Sequence, residues 1–256
     1  MQEALEVAVA AARKAGMVLK KGMNAEKHAQ AKSHVYDPVT VFDRRSEKII
    51  SDQIKGAFPS HGIVSEEGTR INEESSLVWV IDPLDGTNNF LRGIPHFCVS
   101  LALMDEGKSQ LACTYDPLRD ELFTAIVGRG ATMNEKPLHV SEQPTLRGAV
   151  VGVGFSSRSH LALQTQSSLP EIIAQVRGLR TYGSACLDLA YVASGRMDAL
   201  WYLSLWPWDI AAGSLLLTEA GGMVSDLLGY EITDSQKGIV ATNQLVHAEM
   251  LSVINK

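Results

Sequence analysis

Hydrophobic positions change their period along this chain, and the changes divide it into regions. Leu5, Ala8, Val9, Ala12, Ala15 and Leu19 recur at helical spacing. The chain is therefore expected to open with an amphipathic helix that ends near Gly22 and Asn24. A second helix is expected from about Arg44 to Phe58. Asp43 is placed to cap its start, Ile50, Ile54 and Phe58 mark its buried face, and Pro59 follows its end. From Ile63 to about Leu138 the texture becomes short apolar or alternating runs: "LVWVI", "FCVSLALM", "QLACTY" and "ELFTAIV". Asp, Gly, Pro and Lys separate them, so they predict strands of one sheet, antiparallel for the later ones. "VGRGATMNEKPL" reads as turns at the end of that sheet.

After Ser141 strand and helix alternate, as in an α/β layer. "AVVGVGF", "DALWYL" and "GIVAT" read as strands. "SHLALQTQSSLPEIIAQV" reads as largely helical despite Pro170. "SACLDLAYVAS" reads as a helix closed by Gly195, and "DIAAGSLLLTEA" as a helix with Gly221 and Gly222 just past its end. "QLVHAEMLSVIN" predicts a final helix. No internal repeat, low-complexity tract or linker interrupts the pattern. The expected organisation is residues 1–140, carrying the first helices and an antiparallel sheet, and residues 141–256, an α/β portion. The two are expected to form one integrated fold with the site between them.

Composition narrows the function classes. The chain has 256 residues, 45% hydrophobic and 20% charged, enough to bury a sizeable core. A net charge of −6 argues against a nucleic-acid surface, which wants a basic face. No apolar run is long enough to span a bilayer, and Glu3 and Glu6 sit where a signal peptide would want positive charge. The expectation is a cytoplasmic protein with no membrane and no direct nucleic-acid partner. Cys98, Cys113 and Cys186 are widely spaced with no CxxC pair, which suits reduced core thiols.

The chemistry is concentrated in "VWVIDPLDGTNNF". An apolar run stops at Asp82, and Asp85 follows three residues later, expected one turn beyond the strand. Asp-Pro and Asp-Gly are ordinary turn dipeptides, but a turn alone does not need two aspartates at the end of a buried strand. Two carboxylates held close repel unless cations sit between them. Hard oxygen ligands of this kind suit Mg2+. Gly86 lets backbone approach an anion, and "GTNN" is expected to open a helix whose amides point at a phosphate. Two further acidic features are ambiguous alone: Glu66-Glu67 suits a solvated surface, and Asp209 in "WPWDIAAG" suits a helix cap.

Together, Glu66-Glu67, "WVIDPLDGTNNF" and "WDIAAGSLLLTEAGG" resemble, in order, the signature segments of the inositol monophosphatase family. "DPVTVFD", "YDPLRDELFTA" and "GSACLDLAYVASGRMDA" extend the likeness over nearly the whole chain. The resemblance implies a layered α+β or α/β fold, a five-layer α-β-α-β-α sandwich of the sugar-phosphatase type. It implies a Mg2+-dependent, lithium-sensitive phosphatase with two to three ions per site, acting on myo-inositol 1-phosphate or a similar small polyol or sugar phosphate. Glu66, Asp82 and the Leu84 carbonyl resemble ligands of a first ion, and Asp82, Asp85 and Asp209 those of a second. Gly86 and Thr87 resemble the phosphate cradle. Asp43 resembles the partner of Thr87, and with Glu66 the pair is expected to orient or deprotonate the attacking water. Asp85, Gly183, Ser184, Ala185, Tyr202 and Asp209 are expected to line the substrate. Lys32 lies near the position of a loop lysine.

Seven residues before Asp209 the chain departs from the inositol-selective pattern: Tyr202 stands where a glutamate is usual. Pocket lining is expected for Tyr202, and packing for Trp201 and Trp208. The departure keeps fructose 1,6-bisphosphate and histidinol phosphate open as substrates. Asn88-Asn89-Phe90 argues against 3′-phosphoadenosine phosphates. The chain is read as carrying neither a CxxxxxR nor a GxSxG nucleophile motif. The family also implies a homodimer. Some bacterial relatives act in transcription complexes, so a regulatory role with transcription-factor partners is the reading from a different class.

Overall fold

A computed structural model describes residues 1–26, 30–31, 38–155, 168–232 and 238–255. Lys32, His28, His34, His160 and the first part of the helix expected after Ser159 lie outside the described residues. Strands β1 (Gln30–Ala31) and β2 (Pro38–Val39) pair with each other. Helices α1 (Gln2–Gly22) and α2 (Val41–Ala57) cover one face of an eight-stranded sheet. Its members are β3 (Gly62–Ser65), β4 (Arg70–Ile71), β5 (Leu77–Asp85), β6 (Cys98–Asp105), β7 (Lys108–Asp116), β8 (Glu121–Ile126), β9 (Ala131–Met133) and β10 (Lys136–Pro137). Their order across the sheet is β10-β9-β8-β7-β6-β5-β3-β4. Only β3 and β5 run parallel; the other neighbours are antiparallel.

The short helix α3 (Thr87–Arg92) leaves the end of β5. After it come β11 (Val150–Gly154), a helical segment α4 (168–175), β12 (Gly178–Arg180), α5 (Ala185–Ala193), β13 (Ala199–Tyr202), α6 (Pro207–Glu219), β14 (Met223–Ser225), β15 (Ile239–Thr242) and α7 (His247–Ile254). The second sheet has the order β12-β11-β13-β15-β14.

Three cores show how the layers stack. In the first, α1 and α2 pack on the eight-stranded sheet through Leu19, Ile50, Ile54, Trp79 and Leu101. In the second, α5 and α6 lie between the two sheets, against Phe123 on one side and Leu200 and Ala241 on the other. In the third, α4 and α7 cover the outer face of the small sheet through Ile172, Met250 and Val253. The result is the layered α/β arrangement expected, helix-sheet-helix-sheet-helix.

The periods explain the layers. Residues 98–103 of β6 are all buried because both faces are covered. Val99, Leu101 and Leu103 face α1 and α2, while Cys98 and Ala102 face α5 and α6. Small residues permit the close approach. A Cβ on Gly16 of α1 would meet the Tyr115 ring at 2.7 Å, and one on Gly213 of α6 would meet Leu189 at 2.4 Å.

Several local expectations change. α2 begins at Val41, not near Arg44, and its cap is Thr40. Asp43 sits at the third helical position and closes a capping box by accepting from the Thr40 amide at 2.9 Å. "ATMNEKPL" is not only turns: β9 and β10 pair through Met133–Lys136 and Thr132–Pro137. Asn134 and Glu135 take positive φ between them, and these turn residues masked the short strands. β4, β12 and β14 are two or three residues long, too short to show a period.

Candidate active site

The acidic residues meet where β5 ends. The strand is buried from Trp79 to Asp85 and does not stop at Asp82 as expected. Asp82 pairs with Ser100 and Asp85 with Cys98, so three steps along β5 match two along β6. This extra residue matters. In a regular strand, side chains three residues apart face opposite sides. A one-residue bulge restores the same side, which is how Asp82 and Asp85 converge. Carboxylate oxygens of Asp82, Asp85 and Asp209 all lie within 4.8 Å of one another.

Each aspartate is aimed by neighbours. Asp82 accepts from the Leu84 amide at 3.0 Å. Asp85 Oδ2 accepts from the Ser184 hydroxyl at 2.6 Å and the Cys186 amide at 2.8 Å. Asp209 is the third residue of α6, which begins at Pro207, and it accepts from the Trp206 amide at 2.7 Å. Its helix position thus serves both readings of the sequence, as part of a cap and as a member of the cluster.

Electrostatics distinguishes the cluster from ordinary acidic surface. Burial, then Glu66, Asp85, Cys186 and Asp209, push the Asp82 carboxyl well above its ordinary 3.8. Burial also raises Asp85, against the lowering effect of its bonds to Ser184 and Cys186. Asp43 is fully buried and raised, first by burial, with the charge of Glu66 adding to it. Glu66 follows β3, and its amide donates to Ile81 at 3.1 Å. Its charge is felt at Asp82, although its carboxylate does not join the 4.8 Å triad. Hard oxygen donors whose charges raise the Asp82 carboxyl fit a divalent cation, which would stabilise its ionised form.

The other expected residues surround this point. Gly86 has φ +91° and caps α3; a Cβ there would meet the His96 carbonyl at 2.9 Å, so two separate constraints require glycine. Thr87 Oγ1 lies 3.2 Å from Asp43 Oδ1 and 3.0 Å from the Leu84 carbonyl oxygen. Asn89 Nδ2 donates to the carbonyls of His96 and Tyr182 at 2.8 and 2.7 Å, tying α3 to the segment before α5. Gly183 takes φ +80° in that segment, Ser184 caps α5, and Ala185 is buried at its start. Tyr202 is turned inward. It is 7% exposed in the central core, and its hydroxyl donates to Asp188 at 2.6 Å. Trp201 is buried, while Trp208 stacks on exposed Trp206 at 5.4 Å.

Sequence reading missed the supports: Thr40, Ser46, whose hydroxyl donates to the Pro83 carbonyl at 2.6 Å, and the Ser184 and Cys186 donors to Asp85. Ser184 was legible only as substrate lining, because nothing in a serine at a helix start reveals a carboxylate 99 positions away. One motif reading needs correction. Cys113 and Arg119, in "CTYDPLR", do stand at CxxxxxR spacing. The fold removes them as a nucleophile pair. Cys113 is fully buried in β7, and burial pushes its thiol up to about 12. Arg119 is spent on Asp116 at 2.7 Å and the Pro95 carbonyl at 3.0 Å.

The fold and the cluster match known proteins. The profile described as "Inositol monophosphatase family" matches residues 1–255. The chain is 41% identical to Nus factor SuhB of Pseudomonas aeruginosa over 267 residues, covering 99% of this chain and 96% of that one. The extragenic suppressor protein suhB of Bartonella henselae superposes with a TM-score of 0.96 at 38% identity, over 99% of both chains. SaIMPase-II with inositol monophosphate bound has a TM-score of 0.81 at 30% identity, over 98% of this chain and 93% of that one. With these likenesses over its full described length, the chain belongs to the inositol monophosphatase family of metal-dependent phosphatases.

Proposed function

We propose that the protein is a Mg2+-dependent phosphomonoesterase acting on myo-inositol 1-phosphate or a similar small polyol phosphate. The observation that carries this reading is the buried convergence of Asp82, Asp85 and Asp209 within 4.8 Å. Asp82, Asp85 and Asp209, with Glu66 and the Leu84 carbonyl, would hold two to three ions. When bound, Mg2+ supplies positive charge to phosphate oxygens and makes water more acidic. The residues do the rest. Thr87, braced by Asp43, presents its hydroxyl beside the phosphate position. Asp43 and Glu66 orient the attacking water and take its proton. The water forms the new P–O bond as the ester P–O bond breaks, and the alcohol leaves with a proton. Gly86 and Thr87 offer backbone amides to the phosphate. Gly183, Ser184 and Ala185 border the alcohol side together with Asp85 and Asp209. Tyr202 acts there from behind, through Asp188, rather than by direct contact.

Residues 1–140 would supply most metal ligands and residues 141–256 would supply Asp209 and the alcohol pocket. Inositol monophosphate bound to SaIMPase-II supports the substrate class. A cytoplasmic, lithium-sensitive homodimer completes the reading; among the described residues no helix is long and apolar enough to cross a membrane. Fructose 1,6-bisphosphate and histidinol phosphate are the rival substrates. A second role is favoured by the name Nus factor carried by relatives: association with transcription factors, beside or instead of catalysis.

The test is phosphate release from a panel of these esters, with and without Mg2+ and lithium. Mg2+-dependent release, fastest from inositol 1-phosphate and suppressed by lithium, is expected. No Mg2+-dependent release from any ester would sink the phosphatase reading. Pull-down of transcription factors by such an inactive protein would then favour the regulatory one.

A further inference from the structure

Behind the carboxylate triad lies a second, softer set of donors. Cys98 comes from the start of β6, Cys186 from the first turn of α5 and Asp85 from the end of β5. The two sulfurs and an Asp85 oxygen all lie within 4.8 Å of one another, and both cysteines are fully buried and reduced. Cys98 Sγ is 3.8 Å from Asp85 Oδ2 and 3.8 Å from Ser184 Oγ.

We propose that Cys98, Cys186 and Asp85 form a site for a thiophilic divalent cation of the Zn2+ or Cd2+ class, sharing Asp85 with the triad. The spacing suits such an ion. Metal–sulfur bonds of about 2.3 Å and metal–oxygen bonds of about 2.1 Å at tetrahedral angles set S···O and S···S edges of roughly 3.6–3.8 Å. The observed 3.8 Å between Cys98 Sγ and Asp85 Oδ2 is within about 0.2 Å of the S···O edge. As a hydrogen bond the same contact is long, and Asp85 Oδ2 does not need it, because Ser184 and Cys186 already donate to it at 2.6 and 2.8 Å. The donors differ in kind from the triad. Thiolates select soft or borderline ions, whereas the all-oxygen triad suits Mg2+.

Binding releases protons: one divalent ion displaces the two S–H protons to solvent and forms two metal–sulfur bonds, with no change of oxidation state. Because Asp85 belongs to both sets, an ion held by the cysteines draws that carboxylate from the triad. The inference rests on the phosphatase reading only for this consequence, that such ions inhibit turnover by acting behind the Mg2+ ligands.

The experiment titrates the reduced, chelator-treated full chain with cadmium chloride, without Mg2+ or ester, so its outcome is independent of any phosphatase activity. A thiolate-to-cadmium absorption band that saturates at one ion per chain, with about two protons released, is expected. Cys98→Ala and Cys186→Ala should each weaken binding by at least about tenfold, while Cys113→Ala leaves it unchanged. Thermal melting confirms that each variant is folded. No band in the wild type, a band that survives both substitutions, or two thiols lost to oxidation in the reduced sample would overturn the proposal.

Discussion

Two kinds of buried carboxylate coexist in this molecule. Asp116, Asp198 and Asp226 are each 0–8% exposed and surrounded by donors. Asp116 accepts from the Leu118 and Arg119 amides and the Arg119 guanidinium. Asp198 accepts from the Ser141 hydroxyl at 2.5 Å and the Val150 amide at 2.6 Å. Asp226 accepts from the Leu228 and Tyr230 amides, both at 2.8 Å. Asp82 and Asp85 are equally buried but face each other, Asp209 and the charge of Glu66. The first kind fastens loops to strands. The second holds repulsion that only a cation or a proton relieves. Burial alone does not mark function; carboxylates aimed at one another do.

Substitutions separate the two kinds. The largest effect is expected at Asp85. Asp85→Asn should lower Mg2+-dependent phosphate release at least about 100-fold with the fold intact, checked by a steady-state assay and far-ultraviolet circular dichroism. Asp198→Ala should do the reverse. It strands the Val150 amide and takes the acceptor from the Ser141 hydroxyl, which keeps only Asn243 at 3.0 Å, and should cost about 1–3 kcal/mol in urea unfolding, with the Mg2+ requirement unchanged.

The pH dependence of the metal-free fold has a definite sign. Asp82 and Asp85 are raised above 3.8 in the fold, so the folded state binds protons more readily than the unfolded chain. Metal-free stability from these groups grows as pH falls through the raised values toward 3.8, and is absent well above them. Protons compete with the ion for the same oxygens. The rise in Tm produced by Mg2+ should therefore be largest near neutral pH and shrink as pH falls, read by calorimetry. A Mg2+ shift that held constant down to acid pH would separate metal binding from these carboxylates.

Much of this contrast was legible in the residues, and the remainder has physical reasons. "VWVIDPLDG" announced a buried strand ending in carboxylates, because apolar runs and paired aspartates are local signals. Which way Asp85 pointed was not local. It depends on a bulge set by pairing with Cys98 and Ser100 on β6, thirteen or more residues further on. Asp43 was expected as a cap from its place before an apolar period, but Thr40 took that role because its hydroxyl reaches the Phe42 amide at 3.0 Å. Tyr202 was expected at the pocket wall. Its position opposite Gly154 on β11, where a Cβ would meet the ring at 1.7 Å, and its bond to Asp188 turn it into the core. The short strands β9 and β10 were hidden by the glycines and asparagine of their turns.

Smaller effects sharpen the comparison further. Ser184→Ala removes one of the two strong donors that hold Asp85 Oδ2. It should lower phosphate release about tenfold and raise the Mg2+ concentration needed for half-maximal rate, with little change in melting. His247, whose ring lies 2.9 Å from Ser225 Oγ and 3.0 Å from Thr242 Oγ1, gives a mild effect of opposite pH sign. Burial lowers its pKa below 6.5, so its stability contribution is present above 6.5 and lost as pH falls toward the folded value. His247→Gln should flatten that part of the Tm-against-pH curve.

The most direct measurement is the melting temperature of Asp82→Asn beside the wild type, each in EDTA and in Mg2+. Asparagine keeps an acceptor for the Leu84 amide while removing the charge that faces Asp85 and Asp209. If the triad stores repulsion for a cation, the variant melts higher than the wild type in EDTA and gains little from Mg2+. A variant that melts lower in EDTA and gains as much from Mg2+ as the wild type would contradict the account.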